Sequence, residues 1–414
     1  MYRNVLKKVD NFLEIGLIFC ASSSNVNTSI FFKKKEILKY HQTTYLFHKK
    51  LFIPLHIDTQ PDMSQLFAMT FLNPSRLKFL HQTKSVVMLK KQLSTTSRLC
   101  EIKRCSLASR ALIQVKGEEA PEFLQGLMTN DITHLDTGQS KSKCLPSMYC
   151  MFLNTQGRII FDTFIIKKAD GDYLIDCDNE AKEKLAKHLK MYKVRRKISI
   201  KVIENETVGV LYDDQKQAIS CDDFCPDQNE FQNFFFRDSR CPLMGFRVIG
   251  DNTKTTTADN TSIENYIRHR YELGICEGVS EIPYGKCTPL EYNCEYMHGV
   301  SFHKGCYIGQ ELTARTHHTG VIRKRIMPIE LSSEIVKNID DDNNNNNEMT
   351  DIRNEKGKKV GKVCATLKTS GLALLRIEDC LKSENLTVDK TSVTVNFQIP
   401  SWWPESAPKT PQNR

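Results

Sequence analysis

At 414 residues, 40% hydrophobic and 26% charged, the chain is long enough for about two or three domains with substantial cores. Its net charge of +9 is unevenly held: residues 1–105 carry 17 Lys+Arg and 6 Asp+Glu, leaving 41 basic and 43 acidic residues for the rest, a near-neutral body without the basic footprint of a nucleic-acid binder. Fifteen cysteines without a CxxC pair argue against a zinc ribbon or a disulfide scaffold and fit reduced thiols inside a cell.

Residues 1–105 read as an extension outside the fold. From Met63 to Cys100 there is no acidic residue, and Arg76, Lys78, Lys84, Lys90, Lys91 and Arg98 alternate with Leu, Phe, Val and hydroxylated residues. That is the composition of an organellar transit segment, with Met63 or Met69 as candidate starts. Residues 12–21 are apolar, but Glu14 and their short length exclude a membrane span.

The main body is expected over 106–325. Ala111–Val115 reads as a strand, and Glu118–Met128 as a helix with acids and Pro121 in its first turn. Met148–Leu153 and Arg158–Lys167 form a hairpin around Asn154-Thr155-Gln156-Gly157. Asp162 interrupts the second strand's apolar run, where a carboxylate requires a partner, a ligand or an edge. Tyr173–Cys177, a lysine-studded helix over Asn179–Tyr192 and a strand over Lys197–Val202 complete a ββαβ-like pattern, which suggests ferredoxin-like α+β units. Gly209–Tyr212 and Phe246–Ile249 are further strands, and Cys221-x₃-Cys225 between them is too acidic and loop-like to be a strong metal site. Thr261-x-x-Glu264 reads as a capping box for a helix that Gly274 stops, with Arg268 and Arg270 as surface charge or anion ligands.

Over 326–405, short strands at Ile326–Leu331, Val360–Thr366, Gly371–Ile377 and Ser392–Gln398 point to a small β-barrel. The Asp340–Asn347 tract cannot pack and reads as a disordered insertion at 338–350. Trp402 and Trp403 dock the end of the chain on the body, and 406–414 is a tail.

The stretch richest in chemistry is Lys304-Gly305-Cys306-Tyr307-Ile308-Gly309-Gln310-Glu311, continued by Leu312-Thr313-Ala314-Arg315-Thr316-His317-His318. Its glycines allow positive φ or a close approach, and a helix begins near Gln310 beside a thiol that the helix start should help to ionise. A Cys306–His hydrolase is disfavoured, because His303, His317 and His318 are near in sequence whereas such pairs are built from distant segments.

This stretch resembles the signature of the YgfZ family, relatives of the glycine-cleavage aminomethyltransferase, and its extension resembles the family's mitochondrial branch. Phe123–Asp131, the Gly274–Glu291 segment (with Cys276 in place of the usual proline) and the Trp-Trp ending are similar to the same pattern. The resemblance covers residues 111 to 404 and implies an aminomethyltransferase-like folate-binding fold with a C-terminal barrel. It implies a mitochondrial matrix protein that assembles 4Fe–4S centres, with A-type iron–sulfur carriers and recipients such as aconitase and lipoate synthase as partners. Tetrahydrofolate is the implied cofactor. Asp162 takes the position of the transferases' folate-site acid, and Arg158 is similar to an arginine that replaces their glycine. Asn130, Lys304, Tyr307, Gln310 and Arg315 complete the expected ligand site, with Cys306 as a redox thiol or one ligand of a shared cluster. A folate-dependent one-carbon transferase is the alternative activity.

Overall fold

The computed structural model describes residues 14–22, 25–33, 102–136, 144–220, 234–250, 259–335 and 350–407. The transit-like stretch, Cys221 and Cys225, and the Asp340–Asn347 tract lie outside the described residues. In an N-terminal unit of its own, β1 (Glu14–Ser22) pairs antiparallel with β2 (Asn25–Lys33). This hairpin lies within residues 1–105, the stretch read as an extension.

The second unit begins its regular structure with β3 (Ile102–Ser106), ahead of the boundary read at 106. In chain order there follow β4 (Arg110–Lys116), α1 (Ala120–Gln125), β5 (Ser147–Leu153), β6 (Ile159–Ala169), β7 (Asp172–Asp178), α2 (Lys182–Lys193), β8 (Ser199–Ile203) and β9 (Thr207–Asp213). Next come β10 (Phe234–Arg237), β11 (Phe246–Gly250), β12 (Asp259–Asn260), α3 (Ile263–Glu272) and α4 (Gln310–Thr319). The last part holds β13 (Lys324–Leu331), β14 (Asp351–Asn354), β15 (Lys359–Leu367), β16 (Ser370–Arg376), α5 (Ile377–Leu381), β17 (Leu386–Val388) and β18 (Val395–Phe397).

Three sheets result. The first has the order β5-β6-β7-β4-β8 and is antiparallel throughout. One of its faces buries Ile113, Ile165 and Ile175 against Phe123 and Leu124 of α1 and Leu185 and Leu189 of α2. The second sheet has the order β10-β11-β9-β3-β12, with β12 parallel to β3. A core of Tyr149, Phe164, Val210, Phe236 and Tyr266 joins these two sheets and reaches Ile326 and Leu372 of the third. This order of strands and helices is an α+β architecture.

The third sheet, β17-β14-β15-β16-β13-β18, curls around Met327, Ile352, Val360, Ala373 and Val388, and a bridge between Thr387 and Thr394 brings its two ends together. This is the expected barrel, with β14 and β17 additional to the strands legible in sequence. Trp402 Nε1 donates to the carbonyl of Leu273 at 2.8 Å, and Trp403 is buried beside Tyr296, so the paired tryptophans do dock the terminus.

Two helix boundaries differ from the reading. Ser262 rather than Thr261 caps α3, its Oγ accepting from the amide of Asn265 at 3.4 Å. The Thr261 amide is bonded to the carbonyl of Arg104 at 2.8 Å, so the chain is still part of the sheet edge there. α1 closes at Gln125 because the carbonyls after it are claimed from outside the helix, as described next.

Candidate functional site

Lys304 is buried, and its Nζ donates to the carbonyls of Gln125, Met128 and Asn130 at 2.7, 2.8 and 2.6 Å. These carbonyls face away at the end of α1, and the ammonium satisfies them together. Burial pushes the Lys304 pKa down to about 8, with Cys150 and Asp131 acting against that shift. Read as a ligand-binding cation, Lys304 has all three donors committed to the scaffold. Asn130 is committed likewise: its amide donates to the carbonyls of Tyr149 at 2.9 Å and His298 at 2.8 Å, and its oxygen accepts from the Asp131 amide at 2.9 Å.

The other end of the loop is held by shape. Gly309 caps α4 in the left-handed region at φ 79°, with its Cα hydrogens against the β5–β6 turn. A Cβ there would lie 2.8 Å from that of Leu153, 3.2 Å from Gly157 Cα, and closer still to the carbonyl oxygen of Asn154. Gly157 has φ 76°, and a Cβ on it would meet Leu312 Cβ at 2.7 Å and the Gly309 carbonyl at 3.0 Å. The two glycines therefore interlock the signature loop with the hairpin turn. Asn154 shapes that turn, its side-chain oxygen accepting from the amides of Gln156 and Arg158 at 3.0 and 2.9 Å. Gly305, by contrast, has open space where a Cβ would sit.

Between these anchors lies Cys306. Among the described cysteines it is the exposed one; Cys144 and Cys364 are half-buried and the rest are buried. It lines an open surface depression of about 640 Å³ with Thr155, Tyr307, Ile308, Gly309, Gln310, Glu311, Ala314 and Arg315. Tyr307 is buried under Lys304, whose Nζ lies 5.0 Å from the ring centre, and its amide donates to Gln310 Oε1 at 3.3 Å. Arg315 pairs loosely with Glu311 at 3.8 Å on the exposed face of α4. Cys306, Tyr307, Gln310 and Arg315 thus come together at one site. Asp162, Arg158, Asn130 and Lys304 lie outside it, and among the described residues no group of His, Cys, Asp and Glu is arranged to hold a metal ion by itself.

Asp162 belongs to a different construction. β6 aims it, with Phe164 and Ile166, between the first two sheets, where it joins a buried ion network invisible to local sequence reading. Arg110 Nη1 reaches Asp162 at 3.3 Å and its Nε reaches Asp176 at 2.7 Å. Arg247 Nη1 binds Asp176 at 2.7 Å, and Arg247 also contacts Glu277. Arg240 binds Asp238 at 2.6 Å and Glu277 at 2.8 Å. The other Asp162 oxygen accepts from the Gly278 amide at 3.2 Å. Burial raises the Asp162 pKa while Arg110 lowers it, and the arginines hold Glu277 well below the carboxylate range despite burial. A folate-site acid must offer a carboxylate to ligand nitrogen, and both oxygens here already accept from the protein. The residues present therefore do not fit that role for Asp162. Arg270, read as surface charge or anion ligand, is also internal, paired with Glu281 at 2.8 and 2.9 Å. The signal for such a network was the charged residues at core-facing positions of strands: Arg110, Asp176 and Arg247.

Comparison with known proteins agrees with this architecture. Residues 323–405 match the family model of the CAF17 C-terminal beta-barrel domain. The mouse (Mus musculus) mitochondrial iron-sulfur cluster assembly factor IBA57 is 35% identical over 314 residues, covering 73% of this chain and 85% of the relative. The chain belongs to the IBA57 family. The human (Homo sapiens) IBA57 factor is 31% identical, over 72% of this chain and 84% of its own. IBA57 factors carry a mitochondrial designation, in accord with the location expected from the signature. In fold, the IBA57-family chain is similar to the crystal structure of glycine cleavage system aminomethyltransferase T from Bartonella henselae, at TM-score 0.54 and 12% identity, covering 75% of this chain and 89% of that one.

Proposed function

We propose that this chain is a mitochondrial matrix factor for the assembly of 4Fe–4S proteins, with Cys306 as its working thiol. The observation that carries the reading is the presentation of Cys306: exposed, at an open depression, on a loop fixed at one end by Lys304 and at the other by the Gly157–Gly309 interlock. An isolated thiolate cannot hold a cluster that takes several protein ligands. Cys306 therefore supplies one ligand to a cluster whose remaining thiolates come from a partner, for which an A-type iron–sulfur carrier has the right chemistry. The open depression suits this, because the metal approaches as cargo on another protein and needs a clear path to sulfur.

Tetrahydrofolate is given no step. The acid expected to engage it is held by Arg110 and the Gly278 amide, which leaves the folate-dependent transferase as the less supported alternative. The experiment is replacement of Cys306 by Ala or Ser in cells depleted of the native protein, followed by assay of aconitase and of protein lipoylation. Both readouts should stay at the depleted level, and full rescue by either variant would remove the thiol from the function. Turnover of an aminomethyl donor with tetrahydrofolate by the purified chain would restore the transferase reading.

A further inference from the structure

Helix α2 packs Leu185, Ala186 and Leu189 on the first sheet and turns its other side to solvent. That side and the turn after it are strongly basic. Between Lys182 and Lys197 stand Lys182, Lys184, Lys187, Lys190, Lys193, Arg195, Arg196 and Lys197 against the single acid Glu183, in a body that is near neutral only when this stretch is counted in. Of these, Lys184, Lys187, Lys190, Arg195 and Lys197 are exposed. The acids nearby are few: Glu122 meets Arg196 at 3.6 Å, and Glu119 accepts from the Lys197 amide at 2.6 Å.

Two large apolar side chains project from the middle of this charge, Met191 at 63% exposure and Val194 at 77%. Val194 ends the helix at φ 51°, a region that a β-branched residue enters only against steric resistance and that glycine enters freely. The chain thus holds an apolar side chain in water on a strained backbone, at the tip of a lysine-rich face. Such conformations persist where the surroundings use them.

We propose that this face is a peripheral binding site for an anionic lipid surface. Lys184, Lys187, Lys190 and Arg195 engage headgroup phosphates, and Met191 and Val194 enter the boundary between headgroups and acyl chains. Lysine predominance favours lipid over a protein partner, because protein interfaces are depleted of lysine at their cores whereas delocalised lysine charge is what an anionic membrane attracts. The arrangement lies on a membrane rather than spanning it, and no described helix is long and apolar enough to cross one.

The test uses the full chain with sonicated vesicles of phosphatidylcholine alone or of phosphatidylcholine with phosphatidylglycerol. Lysines are acetylated with and without vesicles and mapped by mass spectrometry. Lys184, Lys187 and Lys190 should be protected by the anionic vesicles only, while Lys356 and Lys358, on the barrel, react equally in both. In co-sedimentation, the Lys187→Ser/Lys190→Ser pair should weaken binding by roughly tenfold or more. Met191→Ser/Val194→Gly should remove the binding that survives high salt. All four positions are exposed, so a urea midpoint no lower than that of the native protein confirms that the variants fold. An unchanged footprint on anionic vesicles overturns the proposal. So does equal protection by neutral vesicles, or protection by polyglutamate but not by lipid, which would assign the face to an acidic protein.

Discussion

The interlock between Gly309 and Gly157 gives the sharpest test of the loop's construction. Replacing Gly309 by Ala forces an L-residue into φ 79°, which costs about 1–2 kcal/mol by itself. The new Cβ also has no room: Leu153 Cβ stands at 2.8 Å and Gly157 Cα at 3.2 Å, with the Asn154 carbonyl nearer still. Two of these obstacles are backbone, so the turn must move, and overpacking of this kind adds about 1–3 kcal/mol. The expected loss is about 2–5 kcal/mol. Gly305→Ala is the control, because a Cβ there meets nothing within 4 Å and its effect should stay within about 0.5 kcal/mol. Urea unfolding of the three proteins decides it, read as a shift in midpoint at unchanged slope. Equal midpoints for the two variants, or a Gly309→Ala loss below about 0.5 kcal/mol, would refute the interlock as the loop's anchor.

Other consequences are as direct. Lys304→Met strands three carbonyls at the end of α1 and should cost about 2–4 kcal/mol by the same unfolding assay. Arg247→Met takes one of two arginines from each of the buried acids Asp176 and Glu277, leaving Arg110 and Arg240 as their remaining partners, and should cost about 3–5 kcal/mol, whereas an effect near zero would mean that the network is not charged as drawn. Iodoacetamide on the native protein should modify Cys306 ahead of the other described cysteines, and peptide mapping would show it. Burial beside Phe152, Phe161 and Tyr192 holds His188 below its ordinary pKa of 6.5. Its unfolded form therefore takes up the proton first, and stability present above pH 6.5 is lost as pH falls below it. His188→Phe should make that decline shallower in melting curves recorded from about pH 7 to about pH 5.

Much of the scaffold was legible because its signals are local. The Asn154–Gly157 turn, the stop at Gly274, the alternation along the barrel strands and the docking tryptophans each depend on neighbours in sequence. The role of Gly309 was half legible: positive φ could be anticipated, but its partner Gly157 lies more than a hundred residues away. Lys304 and Asn130 were expected at a ligand for a related reason, whereas their donors serve backbone carbonyls. A polar residue near a reactive thiol reads as functional until the carbonyls it serves are known, and those of Gln125 and Met128 belong to a distant helix end. Asp162 required a partner, as its apolar strand dictated, but sequence alone could not distinguish Arg110 from a ligand. The short β14 and β17 escaped because their stretches carry too little alternation to stand out from turns.

The ion network is also assembled from early and late segments of the chain. Strands β4, β6 and β7 deliver Arg110, Asp162 and Asp176, but Arg240, Arg247 and Glu277 arrive only with later segments. The network's last member, Glu277, precedes Cys306 in the chain, so every residue that ties the two sheets together through these ion pairs lies ahead of the thiol.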